Sequence, residues 1–344
     1  MTTLVTGAAG FLGSHLARKL AETGEQVRAL VRAARAPSLE GIPVEKVVGD
    51  LRDPPSLDAA LQGVRCVYHV AADYRLWTPD PAQIYESNVT GTRNLLAAAG
   101  RAGVERFIYT STVGTIVVPR PTLPDEQTAA GLAEMIGHYK RSKFLAEQAV
   151  LAAAAAGLPA VIVNPTTPVG PGDWKPTPTG RMIVDFLNGR MPAYVDAGLN
   201  LIAVEDVAAG HILACERGRP GERYLLGARN MRLKEILEIL ARFSGRPAPR
   251  VRLPHAVALA AGYADNAFCR LLGREPHIPL EGVRMARHSM FVDCSKAGRE
   301  LGFRPGPVEN ALERAVRWYI EQDYAPATLG SHRQRRQAAA GVKS

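Results

Sequence analysis

The chain has 344 residues, 47% of them hydrophobic and 22% charged. That is enough for a large core and two domains, and it excludes a disordered, collagen-like or disulfide-scaffold protein. Its net charge is +9, but Arg333, Arg335, Arg336 and Lys343 supply four of those charges within residues 330–344, which hold no acidic residue. This end reads as a disordered, solvated basic tail over 326–344, so the charge does not argue for a specific nucleic-acid partner. Cys66, Cys215, Cys269 and Cys294 stand far apart with no C-x-x-C spacing. That spacing argues against a bound zinc or any other metal centre and suits a reducing cytosol. Met1 is followed too closely by the first motif for a secretory signal, so a cytoplasmic protein is expected.

Leu4 and Val5 lead into Thr6-Gly7-Ala8-Ala9-Gly10-Phe11-Leu12-Gly13, and Leu12, Leu16 and Leu20 leave it with helical spacing. This is the strand, glycine turn and helix of a dinucleotide-binding βαβ unit. Gly7 permits the tight turn, Gly10 lets backbone approach a pyrophosphate, and Gly13 lets the helix lie close on the strand. Unpaired N–H groups at the helix start then face the phosphates.

Residues 26–31 form the second strand, which ends in Val31-Arg32 where NAD-binding units usually carry a carboxylate for the ribose. An arginine there can pair with a 2′-phosphate, so NADP is expected over NAD. Residues 44–48 are a third strand, followed by Gly49-Asp50-Leu51, where Asp50 could accept from an adenine amino group or start a turn. Residues 65–70 are a fourth strand that runs into Ala71-Ala72, small residues that suit a ribose lying on the backbone. His69, inside an apolar strand, is expected to be packed and hydrogen-bonded rather than catalytic.

Asp73-Tyr74-Arg75-Leu76-Trp77 follows as a loop at the same end, suited to a polar ligand. A helix runs through Asn88, and a fifth strand over 106–110 ends in Tyr109-Thr110-Ser111-Thr112. Tyr139 and Lys143 are spaced to share a helix face. An ammonium about 5 Å from a phenol, at an effective dielectric of about 20, favours the phenolate by roughly 3 kcal/mol, or about two pKa units. That moves the phenol toward the range where a general acid/base works, with Ser111 or Thr112 to hold the substrate oxygen.

Together these motifs resemble an extended short-chain dehydrogenase/reductase over roughly residues 2–325, in its epimerase/dehydratase and dihydroflavonol-reductase branches. The stretches 71–77, 136–147 and 175–181 resemble the hopanoid-associated sugar epimerase group. The resemblance implies a Rossmann-type doubly wound α/β fold with a parallel sheet and a smaller, mainly helical C-terminal substrate domain. It implies cofactor contacts from Gly7, Ala9, Gly10, Phe11, Leu12, Gly13, Arg32, Asp50, Leu51, Ala71, Ala72, Asn88, Pro165 and Thr166. Tyr139 matches the acid/base, and Lys143 the residue that orients the nicotinamide ribose. The family's serine position is Thr112 here, with Ser111 before it, and the assignment between the two stays open.

A sixth strand begins at Ala160 and passes through Asn164-Pro165-Thr166, in the manner of nucleotide-sugar epimerases. The dinucleotide-binding domain is expected over 1–165 with 201–227 returning to it, and the substrate domain over 166–325. Asp206 is expected to cap a helix, and the loop 174–181 to act as a lid. Asp73, Tyr74, Asn164, Thr177 and Arg181 are the substrate-side candidates. Residues 253–272 are strongly apolar but interrupted by Asp265, Asn266 and Arg270. A buried or interface helix is expected there, with an apolar groove or a peripheral membrane contact left open.

The expected activity is hydride transfer at a carbinol or ketone carbon of a small-molecule substrate, in a homodimeric enzyme. The resemblance implies a sugar or nucleotide-sugar epimerase linked to hopanoid biosynthesis, and the alternative is an NADPH-dependent ketone reductase. A non-catalytic cofactor sensor is disfavoured because the Tyr/Lys pair is kept.

Overall fold

A computed structural model describes residues 2–116, 122–271, 274, 276 and 280–326. Apart from residue 326, the expected basic tail lies outside them. The strands are β1 (Thr2–Thr6), β2 (Gln26–Val31), β3 (Val44–Val48), β4 (Val64–His69), β5 (Arg106–Thr110), β6 (Ala160–Pro165), β7 (Thr167–Val169), β8 (Ala193–Val195), β9 (Gly198–Ala203), β10 (Arg223–Leu226), β11 (Arg229–Arg232) and β12 (Val251–Leu253). The α-helices are α1 (Phe11–Glu22), α2 (Pro54–Ala60), α3 (Ala82–Tyr85), α4 (Gly91–Ala102), α5 (Gly137–Ala155), α6 (Pro178–Leu187), α7 (Val204–Arg217), α8 (Leu233–Ser244), α9 (His255–Leu271), α10 (Leu280–Met285), α11 (Ser295–Leu301) and α12 (Val308–Glu321).

Seven strands form one parallel sheet in the order β10-β6-β5-β4-β1-β2-β3. Its central strands are buried on both faces, which explains why Phe107-Ile108-Tyr109 and Val161-Ile162-Val163 are continuous apolar runs with no exposed side chain. One face is covered by α1 and α7 through Leu16, Leu20, Val207 and Ala208. The other is covered by α2, α4 and α5 through Leu57, Leu95, Ala146 and Val150. The strand order reverses between β1 and β4, and in such sheets the ligand crevice opens there, at the carboxyl ends of the strands.

The smaller half has its own core, where α6, α8 and α12 pack on a three-stranded sheet of β7, β9 and β11. Three expectations are corrected here. The strand expected to lead residues 201–227 back, β9, belongs to this smaller sheet, and the return is made by α7 and β10. Asp206 does not cap α7. Ala203 holds that position, and Asp206 lies in the first turn, where its carboxylate accepts the Gly306 N–H at 2.8 Å. Of the buried and interface readings for 253–272, the buried one is corrected: along α9 Cys269 is enclosed but the side chains of Val257, Tyr263 and Phe268 are exposed. No helix among the described residues is long and apolar enough to cross a membrane.

The glycine turn sets the approach of α1 to β1. Gly7 has φ +67°, and a Cβ there would lie 2.6 Å from the Ala71 nitrogen. At Gly13 a Cβ would lie 2.0 Å from the Gly7 carbonyl oxygen. Gly13→Ala should therefore destabilise the protein by about 1–3 kcal/mol, seen as a lower urea midpoint. Gly100→Ala, where a methyl meets nothing within 4 Å in α4, should raise it, by up to about 1 kcal/mol.

Candidate functional site

The turn between β1 and α1 leaves the helix N-terminus bare. Gly10 is its N-cap with no side-chain hydrogen bond, and no acidic residue occupies the first turn. Open amides and a partial positive charge at the crevice mouth fit a dinucleotide diphosphate, and the space that a Cβ at Gly7 or Gly13 would fill is taken by backbone. Ala9, Phe11, Leu12, Ala71 and Ala72 keep partial or full exposure around it. Beyond the end of β2, Arg32 is exposed, and its charge helps hold the Asp50 carboxyl down at about 2, after the hydrogen bond from Arg52. Asp50 is thus engaged in its own turn, with Arg52 N and Nε both 2.9 Å from Oδ1. Leu51 packs against the position of Gly91.

Under this crevice runs a buried chain of hydrogen bonds. Asn88 lies in a π-helical turn, Glu86–Thr90, between α3 and α4, a distortion common at functional sites. Its Oδ1 accepts the Asp73 N–H at 2.7 Å, and its Nδ2 donates to the Asp73 carbonyl and to Ser142 Oγ, both at 2.9 Å. Ser142 in turn donates to the Tyr139 carbonyl at 2.8 Å. The Asn88 carbonyl accepts from Thr92 Oγ1 at 2.6 Å, and Thr92 Oγ1 is 2.9 Å from His69 Nε2. His69 Nδ1 is 2.8 Å from Thr6 Oγ1, which accepts the Ala71 N–H at 3.3 Å. Thr92 has one proton and gives it to Asn88, so His69 must donate from Nε2 and accept at Nδ1. Burial pushes the His69 pKa down to about 3, with the Lys143 charge adding to it, so the ring stays neutral. Asn88 is therefore a clamp on the 71–73 segment and on α5, with its side chain fully used.

Tyr139 and Lys143 stand on one face of α5. Thr112 Oγ1 accepts the Gly114 N–H at 3.1 Å and lies near enough to the Tyr139 phenol to favour its ionised form. Ser111 turns the other way and donates to Glu147. Glu147, one further turn along α5, also accepts from Thr115 Oγ1 and Asn164 Nδ2 at 3.0 Å and pairs with Arg223 at 3.3 Å. Asn164 and Ser111 are thus drawn into a buried network behind the phenol. Lys143 donates to the Thr110 carbonyl at 2.7 Å and lies 4.2 Å from the centre of the Tyr109 ring. The expected depression of the phenol pKa is not seen. Burial, which outweighs the pull of Thr112, pushes Tyr139 up to about 12. Burial pushes Lys143 down to about 7 against the opposing pull of Glu147. The reason is that Lys143 points at a strand carbonyl, so its ammonium is not spent on the phenol.

On the substrate side, Tyr74 donates to the Lys175 carbonyl at 3.3 Å, and Arg75 holds Asp73 with Nε at 2.9 Å and Nη2 at 2.5 Å. The 174–181 segment is not a free loop. Residues from Pro178 are helical, Thr177 caps α6 at Gly180 N, and Thr177 Oγ1 donates to Asp173 at 2.8 Å. Tyr319 also donates to Asp173 at 2.8 Å, and Tyr324 donates to the Trp174 carbonyl at 2.6 Å. Thr177 is thereby committed within the fold, while Arg181 is exposed on α6. Pro165 and Thr166 are buried, and Thr166 N is 2.9 Å from the Leu226 carbonyl it donates to. Sequence reasoning missed Asp173 and Glu147. For Glu147 the signal was available as the third member of the 139, 143, 147 spacing. For Asp173, held by the nearby Thr177 and by Tyr319 from α12, 146 positions away, the decisive second partner left no signal.

The comparisons agree with this geometry. A model of the NAD dependent epimerase/dehydratase family matches residues 3–227. Over 326 residues the chain is 47% identical to a Synechocystis protein named as a dihydroflavonol 4-reductase, covering 93% of this chain and 95% of that one. It is 37% identical over 327 residues to sterol demethylase protein B of Methylococcus capsulatus, covering 94% and 99%. The crystal structure of gox2253 aligns with a TM-score of 0.84 at 44% identity, covering 94% of this chain and 99% of that one.

Lys143 is held below the pKa of a free lysine, so the folded state binds fewer protons than the unfolded state between about 7 and 10.5. The cost of burying this amine is complete below about pH 7 and disappears as pH rises toward 10.5. Lys143→Met should therefore raise the thermal midpoint by a few degrees at pH 6, with the gain shrinking by pH 10. Differential scanning fluorimetry across that range is the measurement, and a gain that grows with pH would contradict the sign.

Proposed function

The chain belongs to the NAD dependent epimerase/dehydratase family and is an NAD(P)-dependent short-chain oxidoreductase, and from that premise we propose that it reduces the ketone of a largely apolar ring compound with NADPH. The observation that carries the reading is the Tyr139 phenol on α5, one turn before Lys143 and beside Thr112 at the crevice end of the sheet, held protonated by burial. A phenol held up at about 12 is a proton donor at neutral pH, which carbonyl reduction requires. The oxidation that opens an epimerisation needs the phenolate instead.

The dinucleotide, when bound, supplies the hydride. The bare N-terminus of α1 would hold its diphosphate, and the 71–72 backbone would line the ribose. Thr112, whose oxygen accepts the Gly114 N–H, turns its one proton from the phenol to the substrate oxygen. Tyr139 transfers its phenolic proton to that same oxygen. Lys143, titrating near neutrality, stabilises the phenolate left behind when it is charged. Tyr74, close enough to Tyr139 to oppose its ionisation, is tied to the Lys175 carbonyl at the same mouth.

Two observations support an uncharged ring substrate. The relatives at 47% and 37% identity carry names built on a flavonol and a sterol. Arg75, on the loop after β4, is already paired with Asp73, so this cation does not await an anionic group. A link to hopanoid chemistry agrees with such a substrate. The second reading, nucleotide-sugar epimerisation, is favoured by the Asn164-Pro165 passage and by the family's description. The preference for NADPH rests on exposed Arg32, with no carboxylate at the end of β2.

Stoichiometry separates the two readings. With a dihydroflavonol or a keto-sterol, absorbance at 340 nm should fall by one NADPH per product, and Tyr139→Phe should lower kcat at least ~100-fold with NADPH affinity within about twofold. Turnover of a nucleotide sugar with no net NADPH change would select the epimerase. Arg32→Ala should weaken NADPH binding by roughly 10- to 100-fold and leave NADH nearly unchanged, since a charge-assisted contact is worth about 1.5–3 kcal/mol. Fluorescence titration with both cofactors checks it.

A further inference from the structure

At the opposite end of the large sheet, below the starts of β1, β4 and β5, lies a cavity of about 410 Å³ lined in part by Thr3, Arg65, Tyr68, Arg106 and two cysteines. It takes no part in the crevice described above. From Cys66 to Ala71 the chain runs up β4 for roughly 17 Å, at about 3.3 Å per residue. Cys66 on β4 and Cys215 near the end of α7 are separated by 149 positions in the chain, yet their sulfurs lie 3.1 Å apart and both are free thiols. That separation is about 1 Å more than a disulfide bond. Cys66 is enclosed, whereas Cys215 retains partial exposure.

We infer that Cys66 and Cys215 form an oxidisable dithiol, with hydrogen peroxide entering through this cavity as its oxidant. This does not rest on the functional reading above. The surroundings favour Cys215 as the sulfur attacked first by oxidant: the Cys66 hydrogen bond, then Tyr68 and the Arg106 and Arg65 charges, hold its pKa down at about 7. Cys66, pushed up by the same hydrogen bond and by burial, keeps its proton. The Cys215 thiolate attacks one oxygen of hydrogen peroxide, the O–O bond breaks, and a sulfenic acid forms while the leaving hydroxide takes up the proton the thiol released on ionising and departs as water. The Cys66 sulfur then attacks the sulfenic sulfur; the S–S bond forms, the S–O bond breaks, and the departing hydroxide leaves as water with the Cys66 proton. The two sulfurs lose two electrons, and the peroxide is reduced to two waters. Cys269 is enclosed in α9, where its thiol faces the Asp265 carboxylate at 3.6 Å, and burial pushes Cys294 up to about 12.

The test treats the native full-length chain with hydrogen peroxide, blocks remaining thiols with N-ethylmaleimide and maps peptides by mass spectrometry. The expected product is a Cys66 peptide joined to a Cys215 peptide, two hydrogens lighter than their sum, with Cys269 and Cys294 still alkylated. Dithiothreitol should reverse it, and the bridged form should unfold a few degrees higher because β4 is tied to α7 across a long loop. In Cys66→Ser, Cys215 should stop at a sulfenic acid trapped by dimedone. The inference is overturned if no linked peptide forms in the native protein, whether the two thiols stay alkylatable or Cys215 proceeds to the sulfinic acid.

Discussion

The arrangement depends most on one neutral imidazole. His69 is buried, accepts a proton from Thr6 and donates one to Thr92, and that polarity is forced by the single proton on each hydroxyl. Through Thr92 and Asn88 the order reaches Asp73, Ser142 and the backbone of Tyr139. Strand β1, strand β4, the π-turn and α5 thus share one directional network. A protonated ring would put two donors against Thr6 and Thr92 and reverse a link, and burial prevents that.

The same dryness explains the electrostatics of the site. Water would stabilise both a phenolate and an ammonium. Its exclusion raises Tyr139 and lowers Lys143, leaving the pair near neutral. An ion pair is not stored in the resting protein. The site instead holds a proton donor and an amine that titrates close to physiological pH. Holding an amine in such a place costs stability, a trade often found where chemistry needs a group that packing would exclude. Glu147 offsets part of the cost by its charge, while Ser111, Thr115, Asn164 and Arg223 satisfy it from behind.

Much of this was legible because it is local. The glycine turn, the strands β2, β3 and β5, and the spacing of Tyr139 and Lys143 are written in periods of two and 3.6 residues. His69 as a packed histidine followed from its apolar strand. What was not legible comes from partners far apart in the chain. Asp206 reads as a cap until Gly306 claims it, and Thr177 reads as a ligand until Asp173 and Tyr319 enclose it. Ser111 faces Glu147 rather than the phenol, an orientation that no spacing rule gives. The phenol argument from the sequence placed Tyr139 and Lys143 on one helix face, but the ammonium is turned to the Thr110 carbonyl. That expectation also lacked the desolvation that a fold imposes.

The late arrival of β10 has a consequence for synthesis on the ribosome. Strand β6 is wholly buried, yet one of its edges is completed only by Arg223–Leu226, after the chain has already built β7, α6, β9 and α7. Until then a nascent chain carries a bare, apolar strand edge of the kind that recruits the wrong neighbour. The Leu226 carbonyl that receives Thr166, and Arg223 beside Glu147, both come from that closing strand. A polypeptide released with only the first six strands would therefore be sticky as well as inactive, and maturation of the pocket is coupled to sealing of the sheet.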